Sequence, residues 1–267
     1  MTASPDSAAS SKPTFLEAAA VYLKPRVLIV LFLGFSSGLP LALSGSTLLF
    51  WAAEVGVNLK TIGLFALVGT PYTIKFLWAP IVDALDVPIL ARWLGRRRAW
   101  LLLTQLLLIA AILFLGAHDP ASAAAAVAVG ALMVAAVSAT QDIVVDAFRI
   151  ESLDENEQAA GMASYVAAYR VGMLASSAGA LYVVSGFQAF GFSKSGAWSA
   201  GYAAMAVLVV VGILTTLIAT EPEKSDAAET VHERETPIER LKRTVVGAFA
   251  DFFRHDGLVV SIVVLVF

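Results

Sequence analysis

Six apolar runs in this sequence of 267 residues are each long enough to cross a lipid bilayer. A helix needs about 20 mostly apolar residues to cross about 30 Å of hydrocarbon. The chain is 58% hydrophobic and 15% charged, whereas soluble domains have about 45–50% apolar and about 25% charged residues. We therefore predict an all-α membrane protein. The six predicted spans cover approximately residues 27–53, 59–82, 99–116, 121–145, 159–184 and 197–219.

Basic residues between the runs indicate the orientation of the chain, because short loops rich in Lys and Arg stay in the cytoplasm. One side of the membrane has only Lys60 and Lys194. The other side collects Lys24, Arg26, Arg92, Arg96, Arg97, Arg98, Arg149, Lys224, Arg234, Arg240, Lys242, Arg243 and Arg254. We therefore predict that the N-terminus and the segment after the sixth span are cytoplasmic.

The regions outside the six spans have distinct compositions. Residues 221–235 are acidic and polar, which predicts a flexible linker. Residues 237–253 carry apolar side chains at helical spacing with basic residues between them, so this helix lies on the inner membrane face or packs on the protein's own cytoplasmic surface. The last apolar run is too short to span, so we expect the chain to be a fragment. The predicted division is a cytoplasmic tail (1–26), a six-helix bundle (27–219), a cytoplasmic linker (220–256) and the truncated start of a seventh helix (257–267).

Several classes of function are excluded by composition. The chain has no cysteine, which rules out disulfides, iron–sulfur clusters and thiolate zinc sites. His118, His232 and His255 are far apart and lack metal-ligand spacing. A net charge of −3 with scattered basic residues does not indicate nucleic-acid binding. We find no nucleophile–base pair and no phosphate-binding glycine loop, and we predict no catalytic residue, no metal and no cofactor.

Two carboxylates and an amide lie near the end of the fourth run, at Gln141, Asp142 and Asp146. An ionisable side chain inside a membrane helix costs roughly 2.5–3.5 kcal/mol on insertion scales, so it usually faces a polar interior or a watery path. The two aspartates are four residues apart and therefore share a helix face. Asp142 lies about one turn inside the membrane surface, while Asp146 lies nearer the cytoplasmic mouth. This pattern favours a transport protein.

The loop between the second and third runs has an acid at one end and a basic cluster at the other. Asp83 closes the second run, and Gly95 is followed by Arg96, Arg97 and Arg98. This arrangement resembles the loop signature of the major facilitator superfamily, lengthened here by residues 84–94. The acid and the basic cluster can pair across the loop and hold adjacent helices in one of two arrangements. Alternatively, the cluster is only an orientation signal.

Several further segments resemble the AmpG-type permeases of that superfamily. They are GFSSGLPLAL at residues 34–43, LKTIGLFALVG at 59–69, KFLWAP at 75–80, the stretch 138–146 and YRVGM at 169–173. AmpG-type permeases import anhydromuropeptides released during peptidoglycan recycling. The resemblance implies a proton-driven carrier of the bacterial inner membrane, with two six-helix halves that are each built from 3+3 inverted repeats. This chain would be the N-terminal half, and its partner would be the missing C-terminal half, with the substrate between them near the midplane.

The resemblance also implies roles for individual residues. The first and fourth helices line the cavity in this superfamily. The resemblance therefore implies that Gly34, Ser37, Gly38 and Ser44 bind substrate. For the glycines, close helix packing is the alternative. In the loop, Asp83, Arg96, Arg97 and Arg98 would act in gating, as would Asp146 at the mouth.

Lys75 and Arg170 are predicted to be buried cations, about 10 Å and about 16 Å from the cytoplasmic ends of their spans. In one interpretation they attract the carboxylates of an anionic glycopeptide, while Gln141, Tyr165 and Tyr169 bond to or stack on its sugars. In the other, the charges pair with one another, as Lys75 with Asp142, and only fix helix packing. A carboxylate beside a fixed cation is a poor proton carrier, whereas one in apolar surroundings is a good one. Asp142 is therefore the candidate for proton coupling.

Two alternatives to this function remain open at the level of sequence. Acetyl-CoA transporters are similar to the AmpG-type permeases and also move a large anion, so the cargo can differ while the fold is kept. A non-transporting scaffold is favoured if the protein ends at Phe267.

Overall fold

Long helices account for most of the chain that the structure describes, a computed structural model covering residues 19–222 and 246–247. No strand occurs among these residues, which agrees with the predicted all-α class. The predicted tail up to residue 18, most of the linker and the seventh helix lie outside the described residues. The α-helices are α1 Pro25–Ser44, α2 Ser46–Glu54, α3 Leu59–Phe65, α4 Thr70–Ile74, α5 Ala79–Ala84, α6 Leu90–Leu94, α7 Arg96–Gly116, α8 Ala124–Ser152, α9 Gln158–Leu174, α10 Ala180–Ala189 and α11 Lys194–Ile218.

Five helices or helix pairs are long and apolar enough to cross a membrane, and they match five of the six predicted spans. The first span is α1 with α2, and the fifth is α9 with α10. The third, fourth and sixth spans are the single helices α7, α8 and α11. Together they make the chain a multi-pass membrane protein.

The second predicted span is helical but broken into short helices. Its α3, α4 and α5 are joined by the 3-10 segments Ala66–Gly69 and Lys75–Leu77. Pro71 and Pro80 each lie in the first turn of a new helix. Proline has no N–H to donate to the preceding turn, so it starts a helix more readily than it continues one.

The first and fifth spans also depart from regular α-helix. The first changes direction at Gly45, whose φ and ψ are −104° and −109°. Just before this break, the Ser44 hydroxyl donates to the Pro40 carbonyl at 2.9 Å. The fifth span contains a π-helical turn at Ala175–Gly179. Such turns occur mostly as single bulges, often at functional sites.

Two apolar cores lie one at each end of the bundle. The core at the cytoplasmic end, as predicted from the basic loops, contains Leu33 of the first span and Ile143 of the fourth. The core at the other end contains Leu39 and Ala135 of the same two spans. The polar residues 36–38 and 138–142 lie between these positions along both helices. The bundle therefore has a polar layer between two apolar ones, and this layer contains the predicted Asp142.

Candidate functional site

The polar layer is joined across the first and fourth spans by one hydrogen bond. The side-chain amide of Gln141 donates to the hydroxyl of Ser37 at 3.1 Å. Both side chains are fully buried. Ser37 also interacts with the carboxylate of Asp142 and with the hydroxyl of Tyr165. Ser37 is therefore the point where α1, α8 and α9 meet through polar groups.

Asp142 lies inside this layer with only 6% of its surface exposed. Its Oδ1 atom has no hydrogen-bond partner among the described residues. The same holds for Oε1 of Gln141 and for the hydroxyls of Ser138 and Tyr72. Buried polar atoms are bonded in the great majority of cases, so these four atoms and the Ser36 hydroxyl, five unpartnered atoms in a single layer, indicate a site that receives something polar.

Three tyrosines surround Asp142. Its carboxylate acts electrostatically on the hydroxyls of Tyr72, Tyr165 and Tyr169. The rings of Tyr165 and Tyr169 lie 5.8 Å apart between centroids and are tilted by 42°. Tyr72, on α4 of the broken second span, was missed by the sequence analysis because nothing in its local pattern distinguishes it from a packing aromatic.

Lys75 lies near Asp142 but does not form a direct ion pair with it. Lys75 attracts the Asp142 carboxylate and Asp146 repels it, yet no described carboxylate lies within 4.0 Å of the Lys75 ammonium. The helix break at Lys75–Leu77 places this residue at the start of a 3-10 turn. One of the two interpretations of these charges was a close ion pair between Lys75 and Asp142. The structure does not contain this close pair.

Arg170 is exposed on the surface of the described bundle, and its role as a cation inside the membrane stays a prediction. The guanidinium of Arg170 lies 3.9 Å from the sulfur of Met173. Position along a helix gives depth but does not give the face that a side chain occupies. Arg170 points away from the half of the structure described here.

Gly34 and Gly38 lie where α1 crosses α9. A methyl group on Gly34 would come within 2.6 Å of the Tyr165 carbonyl, and one on Gly38 would overlap the Tyr169 carbonyl. Close helix packing, which was the alternative to a role in lining the cavity, therefore accounts for both glycines. By allowing this approach, the two glycines hold the tyrosines beside Asp142.

The predicted loop charges are joined to the fourth span. Arg97 pairs with Asp83 at 2.7 Å and contacts both oxygens of Glu151, at 2.9 and 2.5 Å. The Arg97 side chain is only 6% exposed. Arg96 donates to the Asp83 backbone carbonyl at 2.5 Å. This network connects the end of α5, the start of α7 and the end of α8.

Arg98 connects the same loop to the end of the sixth span. Its guanidinium donates to the carbonyls of Thr216 and Leu217 at 2.9 and 2.8 Å. In return, the Glu221 carboxylate accepts from the backbone N–H groups of Arg97 and Arg98 at 2.7 and 3.0 Å. A carboxylate at a helix N-terminus is favoured because the N–H groups there lack helical partners.

Several acidic residues at the end of α8 and in the turn before α9 form ion pairs. Glu151 and Glu221 were missed as partners of the arginines because their neighbours in sequence are polar and suggest loop or linker. Glu157 is buried and pairs with Lys24 at 2.6 Å. Asp146 is about half exposed and lies 3.9 Å from Arg149. Among the described residues, no group of His, Asp and Glu could hold a metal.

Known proteins resemble this chain over most of its length. The anhydromuropeptide permease of Escherichia coli K12 is 39% identical over 247 residues, which is 92% of this chain and 46% of the permease. Putative transporter AmpG 4 of Rickettsia conorii is 31% identical over 242 residues, 91% of this chain and 56% of that protein. The chain is therefore a homologue of the AmpG-type permeases. The family model described as acetyl-coenzyme A transporter 1 also matches residues 26–120.

This similarity confirms the resemblance predicted from the sequence motifs, and the all-helical structure agrees with the predicted fold. The chain spans about half the length of the curated relatives it matches. In this homologue of the AmpG-type permeases the polar layer draws residues from the first, second, fourth and fifth spans. The roles predicted for single residues stay predictions.

Proposed function

We propose that this chain is one half of a carrier that imports anhydromuropeptides across the bacterial inner membrane by alternating access. The observation that carries the proposal is the similarity to the anhydromuropeptide permease over 92% of this chain. The short coverage of the relatives supports a second half, so the partners of this bundle are the other half, the bilayer, the glycopeptide and protons. The basic loops favour a cytoplasmic N-terminus.

Asp142 is the residue that we assign to proton coupling. It is buried, its Oδ1 atom is unpartnered, and the nearest cation does not form a contact pair with it. A carboxylate in such surroundings can take up and release a proton, whereas one clamped by an arginine remains ionised. Asp83 and Glu151, by contrast, are paired with Arg97.

The substrate side of the proposal uses the polar layer and the exposed cation. Gln141, Tyr165 and Tyr169 present amide and ring surfaces suited to sugar hydroxyls and sugar faces. Ser37 lies in this layer and Ser44 lies about two turns further along α1, although both also form hydrogen bonds within the bundle. Arg170 is exposed on this half, and with Lys75 it would attract the carboxylates of the peptide.

The cytoplasmic networks suit a gate. Asp83, Arg96 and Arg97 join the second and third spans, and Glu151 adds the fourth, while Asp146 is half exposed at the proposed mouth. A carrier that rocks between two states needs bundles that move as units and contacts between bundles that break. The contacts inside this half supply the first requirement, while Asp146 is available for the second.

The experiment that tests the proposal is uptake of labelled anhydromuropeptide into vesicles that contain the full-length protein. Accumulation should require the protein and should rise when a proton gradient is imposed. An Asp142→Asn variant should bind substrate and lose the response to the gradient, while Asp146→Asn, one turn away, should keep it. If vesicles with protein accumulate no more than empty ones, the cargo is wrong; if Asp142→Asn keeps full coupling, only the carrier assignment falls.

A related cargo has its own support, since the acetyl-coenzyme A transporter model matches residues 26–120. Acetyl-CoA is also a large anion. Competition distinguishes the two cargoes: unlabelled acetyl-CoA should leave muropeptide uptake unchanged if muropeptide is the substrate. Strong inhibition by acetyl-CoA with no muropeptide uptake would favour the alternative.

A further inference from the structure

The loop between the second and third spans carries an exposed apolar surface that the transport proposal does not use. This loop contains α6 and is longer than the superfamily signature by residues 84–94. It begins at the end of α5 and finishes at the start of α7, so both of its ends lie at the cytoplasmic ends of spans. A connector of this length between two membrane helices stays close to the membrane surface.

The inner edge of this loop is fixed to the bundle. Val87 is buried, and the indole N–H of Trp100 donates to the Leu85 carbonyl at 2.8 Å. The start of the loop is held by the bond from Arg96 to the Asp83 carbonyl. The loop therefore presents its outer edge in a defined direction.

The outer edge consists of large apolar side chains beside a cation. Ile89 is 73% exposed and Trp93 is 85% exposed. Arg92, next to Trp93, is also exposed. Positive φ values at both ends of α6, 72° at Ile89 and 86° at Gly95, turn the chain there. A β-branched residue rarely adopts positive φ, so the turn at Ile89 is a constrained one.

We propose that this outer edge is a lipid contact, in which Trp93 and Ile89 enter the headgroup region of the cytoplasmic leaflet and Arg92 contacts anionic lipid headgroups. Tryptophan is enriched at membrane–water interfaces, where its ring lies at headgroup level. Anionic lipids of the cytoplasmic leaflet attract basic residues close to the membrane surface. The contact does not depend on the proposed cargo.

The absence of cysteine from the sequence makes this contact directly measurable. The test uses single-cysteine variants of the full-length protein, with any cysteine outside this chain replaced by serine, labelled with an environment-sensitive fluorophore in nanodiscs. Trp93→Cys and Ile89→Cys report on the outer edge. Asn156→Cys is the matched control, because Asn156 is exposed in the next loop at the same end of the bundle.

Labels at positions 93 and 89 should be quenched severalfold more strongly by nitroxide-labelled lipid than the label at 156, and less by aqueous iodide. Phosphatidylglycerol should increase the lipid quenching relative to phosphatidylcholine, and Arg92→Gln should remove that increase. Equal iodide quenching at 93 and 156 would mean a solvated loop and would overturn the proposal. Protection of the label at 93 from both quenchers would mean that protein covers the surface, which overturns it as well.

Discussion

The hydroxyl of Thr47 donates a 2.8 Å hydrogen bond to the backbone carbonyl of Ser176, and this bond joins two irregular places in the bundle. Thr47 lies two residues beyond Gly45, where the first span changes direction. Ser176 lies within the π-helical turn of the fifth span. The halves of the two spans beyond these points are thus connected by a side chain, which couples any bending of one to the other.

Replacing Thr47 with valine should uncouple the two helix halves, because it removes the donor and keeps the shape. A buried hydrogen bond contributes about 0.5–1.5 kcal/mol, so a loss of that size in the free energy of unfolding is expected. Amide hydrogen exchange should become faster in α2 and α10. Thr61→Val, which removes an exposed bond to Asn58, is the control and should change neither quantity. Unchanged exchange in α2 and α10 would show that the two breaks are independent.

Adjacent serines on α1 should respond differently to alanine. The Ser37 hydroxyl accepts from Gln141, whereas the Ser36 hydroxyl is buried without a partner among the described residues. Ser37→Ala should lower the free energy of unfolding by about 1 kcal/mol and reduce uptake, since Gln141 loses its orienting contact. Ser36→Ala removes an unpartnered polar group and should be neutral or stabilising. Equal effects from the two variants would argue against a special role for Ser37.

The Arg97 network should depend on Glu151 more than on its acidic neighbours. Arg97 is buried, and without the Glu151 charge its guanidinium would keep only Asp83 as an ionic partner. Partial exposure of both carboxylates screens the pair, so Glu151→Gln should lower the free energy of unfolding by about 1–3 kcal/mol. Glu155→Gln, exposed on the same side, should change it by less than about 0.5 kcal/mol. Arg97→Lys should also lower the free energy of unfolding, because lysine cannot contact both oxygens of Glu151 at once as the arginine fork does.

Glycine substitutions should separate the packed helix crossing from the open second span. A methyl group at Gly38 would overlap the Tyr169 carbonyl, so Gly38→Ala should destabilise the protein by about 1–3 kcal/mol. Gly63 on α3 has no neighbour within 4 Å of an added methyl group. Gly63→Ala should therefore be neutral, or stabilising by up to about 1 kcal/mol. Thermal unfolding in detergent measures both, and a mild Gly38→Ala variant would contradict the close approach of α1 and α9.

Sequence patterns predict the features that depend on local composition. The long apolar spans and the layer around Asp142 follow from hydropathy and from isolated polar residues, and the structure contains both. The pairing of Asp83 with Arg97 also follows, because both residues border one loop. In each case the signal lies within one segment or between adjacent ones.

The features that sequence did not predict depend on rotation about a helix or on distant contacts. Depth along the fifth span suggested a buried Arg170, but the face that it occupies depends on how α9 packs on α1. Tyr72 enters the site only because the second span is broken near Pro71. Glu221 binds the start of α7 from more than a hundred residues away, which no local pattern indicates.

The reciprocal bonds between Arg98 and the end of α11, and between Glu221 and the start of α7, have a mechanical consequence. Each helix end supplies the groups that the other end lacks, so neither can slide along its axis without losing four hydrogen bonds at once. The third and sixth spans are therefore expected to move as one unit at this end of the bundle. A tilt of one of these spans at this end of the bundle is therefore expected to be accompanied by a tilt of the other.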